Sequence, residues 1–84
     1  MIPEEVFQTL QKMISDQFGV SVDEIEMTTS LEDDLGADSL ELAEMAMAME
    51  EQFGLEGIEE KEDQLKQLKT VGDCVRFIIA ETSR

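Results

Sequence analysis

Apolar residues recur at helical spacing along most of the chain. Val6, Leu10, Ile14 and Phe18 stand four apart, and Phe7 and Met13 widen the stripe. Pro3 suits a first helical turn and Gly19 a stop, so the spacing predicts a helix over 3–18. A connection over about 20–37 follows, rich in Ser and Thr, with Val22, Ile25, Met27, Leu31 and Leu35 as expected anchors across the bundle. Asp38-Ser39-Leu40-Glu41 fits a capping box, in which Asp38 accepts from first-turn amides and Glu41 reaches back. From there Leu42, Met45, Ala46, Met49 and Phe53 form one inward stripe that Gly54 ends. A short segment at about 59–68 has Leu65 and Leu68 as its apolar side. Thr70 and Asp73 form a second capping pair, opening a helix over 71–81 that buries Val71, Val75, Ile78 and Ile79. No stretch alternates at the strand period. The expectation is a single all-α domain over residues 1–84, a small four-helix bundle of three main helices and one short one.

Eighty-four residues allow one modest core, and 42% hydrophobic with 32% charged residues is globular composition. Charge changes the picture more. There are 21 acids against 6 bases, net −15, and the segment 23–63 alone holds sixteen acids against Lys61. Such a field repels phosphate backbones and anionic headgroups, which argues against nucleic-acid and membrane partners and for partners with basic patches. Without His, the chain has no Ser-His-Asp triad and no imidazole metal site. The lone Cys74 closes no intramolecular disulfide and carries no assigned chemistry. No signal-peptide pattern opens the sequence, and a cytoplasmic, non-enzymatic monomer is expected. An EF-hand starting at Asp33 would put Leu35 and Ala37 at oxygen positions and Asp38 at the turn glycine, so no metal site is expected beyond loose divalent binding.

The most informative string is Asp33-Asp34-Leu35-Gly36-Ala37-Asp38-Ser39-Leu40, followed by Glu41-Leu42 and an amphipathic helix ending Met49-Glu50-Glu51-Gln52-Phe53. Ser39, just inside a helix N-terminus, should face solvent, where unpaired amides and the positive helix end favour an attached phosphate. Gly36 and Ala37 leave little bulk beside it. Ser39 cannot act as an enzyme nucleophile, because no histidine is present to serve as base.

The string resembles the attachment site of acyl carrier proteins, and Thr70-Val71-Gly72-Asp73 resembles the family's last helix opening. The resemblance implies 4′-phosphopantetheine on Ser39, flanked by Asp38 and Leu40, donated from coenzyme A by a phosphopantetheinyl transferase. Its thiol would hold acyl groups as thioesters for acyl-transferring and chain-elongating enzymes of fatty acid or polyketide type. It further implies a docking face on the second helix, made of Asp38, Leu40, Glu41, Glu44, Met47, Glu50 and Glu51. Leu40 and Met47 stand two turns apart and would form an apolar spot in that acidic rim. An acyl pocket is expected among Leu42, Met45, Ala46, Met49, Phe53, Leu65 and Leu68. The chain departs from the family after the second helix, where Gly54-Leu55-Glu56-Gly57-Ile58-Glu59-Glu60 lacks the usual Pro. Gly-Ala-Asp-Ser points to an acyl rather than a peptidyl carrier. The competing reading is an unmodified acidic interaction module with the same fold.

Overall fold

The computed structural model describes residues 2–58 and 61–83, and of residue 62 the backbone alone. Helix α1 is Pro3–Phe18, α2 Ser39–Phe53, α3 Glu62–Leu65 and α4 Val71–Thr82, with one 3-10 turn at Val22–Glu24. Among the described residues there are no strands, only an isolated antiparallel bridge between Ser30 and Thr70. The all-helical architecture agrees with the sequence expectation, and the ends of α1 and α2 fall where the capping and stop signals place them. Both expected capping boxes form, Asp38 with Glu41 and Thr70 with Asp73. Part of the short segment expected over 59–68 lies outside the described residues; the helix within it is one turn long.

The core is where the stripes meet. Val6, Leu10 and Ile14 of α1 pack with Met45, Ala46 and Met49 of α2 and with Val71, Cys74, Val75 and Ile78 of α4. Helix α1 packs chiefly on α4 and more narrowly on α2. Phe18, Leu42, Phe53 and Ile79 edge this core, half-buried. Two anchors expected in the long connection differ. Val22 is 41% and Met27 39% exposed, whereas Ile25 and Leu31 are buried. Val22 sits in the 3-10 turn, and Met27 is held through its backbone instead.

That connection is stitched to the entry of α4. The N–H of Leu31 donates to the Lys69 carbonyl at 2.9 Å, Val71 to Thr29 at 3.0 Å, and Gly72 to Met27 at 2.8 Å. The last approach is close enough to favour glycine, since a Cβ at position 72 would stand 3.0 Å from the Met27 carbonyl oxygen. Within the connection, Gln11 Nε2 donates to the Ile25 carbonyl at 2.9 Å, and the buried Thr29 accepts the Glu26 N–H at 2.8 Å. Backbone groups that would otherwise be orphaned are thereby satisfied. The result is a packed strap that ends at the start of α2.

Candidate functional site

Ser39 is the first residue of α2, and three ties fix its place. The Ala37 N–H donates to the Leu31 carbonyl at 2.9 Å, so the turn hangs from a buried residue of the strap. Asp38 Oδ1 accepts the Glu41 N–H at 2.8 Å, which caps the helix. Gln17 Nε2, at the end of α1, donates to the Glu41 carbonyl at 2.9 Å and pins the first turn of α2 against α1. The Gln17 tie was invisible to sequence reasoning, because nothing near Gln17 signals a partner 24 residues away.

Ser39 itself is exposed, and its hydroxyl has no hydrogen-bond partner among the described residues. The first helical bond is from the Leu42 N–H to the Asp38 carbonyl at 2.9 Å, so the amides of Ser39 and Leu40 lie ahead of it, open to a phosphate oxygen. Gly36 precedes them at φ 68°, turning the chain without a side chain beside the serine. Ala37 is buried at 6% exposure, so, as expected, it adds little bulk beside the serine. An exposed, unpartnered hydroxyl next to two free amides fits a phosphodiester attached through Ser39 Oγ.

The expected docking residues fall into two groups. Leu40 and Met47 are 67% and 59% exposed, the largest exposures among the big apolar side chains of the described residues, and Asp38, Glu44 and Glu51 are exposed with them. Glu41 and Glu50 differ from the expectation of a free outward face. Glu41 is half-buried and its Oε1 accepts the Asp38 N–H at 3.2 Å. Glu50 is also half-buried and its Oε2 accepts the Ile58 N–H at 3.4 Å, tying down the chain after α2. Both carboxylates have structural work in addition to their charge.

Beneath α2 lies a cavity of about 30 Å³ lined by Leu31, Leu42, Met45, Met49, Leu65, Leu68 and Cys74. Five of the seven expected pocket residues meet there. Ala46 and Phe53 are not on its wall, because at about 100° per residue they lie at the trailing edge of the stripe that Leu42, Met45 and Met49 lead. Leu31 and Cys74 were missed, one in a connection and one assigned only to packing. Burial pushes the Cys74 thiol up to about 12, and Asp73 beside it acts in the same direction. The thiol therefore stays neutral and behaves as a small apolar group.

The chain matches the family model described as a phosphopantetheine attachment site over residues 8–78. It is 43% identical over 77 residues to an acyl carrier protein of Clostridium acetobutylicum, covering 92% of this chain and 96% of that one. Among solved structures, an acyl carrier protein from Enterococcus faecalis superposes with a TM-score of 0.78 at 32% identity, covering 96% of this chain and 99% of that one. The apo doublet acyl carrier protein from prodigiosin biosynthesis gives a TM-score of 0.75 at 30% identity, covering 92% of this chain and 36% of that longer one. With its helices, its capped serine turn and these relatives in agreement, the chain belongs to the phosphopantetheine-binding acyl carrier protein family.

Proposed function

We propose that this protein carries acyl groups on a 4′-phosphopantetheine arm attached to Ser39. The observation that carries the reading is the exposed, unpartnered Ser39 hydroxyl at the capped start of α2, inside the region matched by the attachment-site family. Ser39 Oγ forms the new phosphodiester with the phosphopantetheinyl phosphate of coenzyme A, while that phosphate's bond to 3′,5′-ADP breaks and the serine proton passes to the transferase or solvent. The arm, once attached, supplies a thiol that holds acyl groups as thioesters.

The chain's own residues do the rest. Asp38 and Glu41 hold the first turn so that Ser39 stays at the surface. Amides of Ser39 and Leu40 offset the phosphate charge. Leu40 and Met47, within the rim of Asp38, Glu44 and Glu51, present α2 to basic patches on the transferase and on acyl-transferring and chain-elongating enzymes. The cavity side chains Leu42, Met45, Met49, Leu65 and Leu68 shelter the acyl chain between visits. The carrier acts as a cytoplasmic monomer and catalyses nothing itself; tethering raises the effective concentration of the substrate at each enzyme. No described helix is long and apolar enough to cross a membrane.

Incubation with coenzyme A and a phosphopantetheinyl transferase, followed by mass spectrometry, tests the proposal. The expected result is a gain of one phosphopantetheinyl group in the wild-type chain and none in Ser39→Ala. An unshifted wild-type mass, under conditions that convert a control carrier, overturns it in favour of an unmodified interaction module.

A further inference from the structure

The cavity under α2 holds only one or two water-sized groups, far less than an acyl chain needs, so a wall must move for cargo to enter. Its walls are unequal. Leu42, Met45 and Met49 stand on the 15-residue α2 and Cys74 on the 12-residue α4, both capped. Leu65 and Leu68 stand on or just beyond α3, a single turn of four residues. The backbone N–H groups of Lys61, Gln64, Leu65, Gln67 and Leu68 all donate to carbonyls within 58–65, so these bonds hold the segment to itself and not to the bundle.

Its two ends are fastened differently. The far end is held firmly. The Lys69 carbonyl accepts from Leu31, and the Asp73 carboxylate accepts the Lys69 and Thr70 N–H groups at 2.9 and 3.1 Å. At the near end, after the buried Ile58, the Lys61 ammonium pairs with the Glu81 carboxylate in the last turns of α4. The Glu81 side chain is only 9% exposed and that of Lys61 24%. A pair this sheltered is screened less than a surface one.

We propose that the Lys61–Glu81 pair is a latch that holds the Leu65–Leu68 wall shut and thereby sets how fast an acyl chain enters and leaves the cavity. Lys61 and Glu81 are positioning residues: they touch neither the arm nor the cargo, and act through the 61–68 segment. With the pair formed, that segment lies against α4 and a sheltered chain leaves slowly. With it broken, the segment swings about its fastened end at Lys69 and exposes the thioester more often. The latch rests on the carrier reading of Ser39 and extends it to cargo access.

The test compares octanoyl and acetyl thioesters on the Ser39-linked thiol of the full chain, measuring cleavage by hydroxylamine. In the wild type, the octanoyl form should be cleaved more slowly than the acetyl form. Lys61→Gln and Glu81→Gln should each speed octanoyl cleavage about three- to tenfold, with acetyl cleavage unchanged. Lys61→Arg should restore the wild-type rate. A general loss of packing would instead leave Lys61→Arg no better than Lys61→Gln. Octanoyl cleavage unchanged in Lys61→Gln overturns the latch alone, whereas failure to load the wild-type chain overturns it together with the carrier reading. Hydrogen exchange on the unloaded wild type needs no variant. The amides of Gln64 to Leu68 should exchange without global unfolding, and if they exchange only with it, no wall opens and the latch is overturned.

Discussion

Asp38 and Glu41 hold each other across the first turn of α2: Asp38 Oδ1 accepts the Glu41 N–H at 2.8 Å, and Glu41 Oε1 accepts the Asp38 N–H at 3.2 Å. Ser39 sits between them, so the two acids that frame the proposed attachment site also build the turn that presents it. Asp38→Ala should therefore cost about 1 kcal/mol in denaturant unfolding. Loading of Ser39 should slow as the turn frays. Asp38→Ser, which can still cap, should retain most of the stability. Equal stability of Asp38→Ala and wild type would show that the box contributes nothing.

The same pairing decides which acids are clean probes of docking. Glu41→Lys breaks the cap as well as the surface charge, whereas Glu44 and Glu51 are exposed. Glu44→Lys and Glu51→Lys should slow loading of Ser39 steeply at low salt and little at high salt, because rim charges act mainly on association rate. Leu40→Ala should weaken the complex by about 1–2 kcal/mol with little salt dependence, through lost apolar contact. Glu4→Lys, on α1, is the control. If it matches Glu44→Lys with circular dichroism unchanged, net charge alone drives encounter and α2 is not the docking element.

Sixteen acids within 23–63 repel one another. Raising ionic strength from low to physiological, or adding millimolar Mg²⁺, should relieve about 1 kcal/mol and raise the melting temperature by about 4–8 °C. A melting curve indifferent to both would show that the acids are already compensated where they stand.

Asp73 links stability to pH. The Lys69 N–H, and after it the Arg76 guanidinium, hold its carboxyl below the usual aspartate value of 3.8. A carboxylate favoured in this way contributes fully above its unfolded value and loses the contribution as pH falls through the lower folded value. Asp73→Asn should thus be less stable than wild type at pH 7, with the gap closing only below about pH 4. Denaturant unfolding of both chains across that range checks the sign, and a gap that widens in acid would refute it.

Much of this fold could be read along the chain because its signals are local. Four-residue spacing marks α1, and the pairs Asp38–Glu41 and Thr70–Asp73 mark the starts of α2 and α4 within a few residues of themselves. The candidate serine stood out for the same reason, as part of one contiguous string. What escaped depends on distant partners. Nothing near Gln17 announces the Glu41 carbonyl, and nothing near Lys61 announces Glu81. Ile58 is fully buried although it follows Gly57 in a stretch without periodicity. Glu50 looked like any outward acid until the chain after α2 folded back onto it.

The stitch from Met27, Thr29 and Leu31 to Lys69, Val71 and Gly72 carries a kinetic consequence. Helices α1, α2 and α4 can start to form from sequence neighbours, but this pairing needs two remote stretches to meet, and the loop-closure entropy falls on it. The serine turn hangs from Leu31 through Ala37, so docking the entry of α4 also fixes the residue that holds this turn. A refolding chain is therefore expected to fix Ser39 in its final place only as its distant halves close on each other. The rate at which refolding molecules become able to take up the phosphopantetheinyl group should then report that closure.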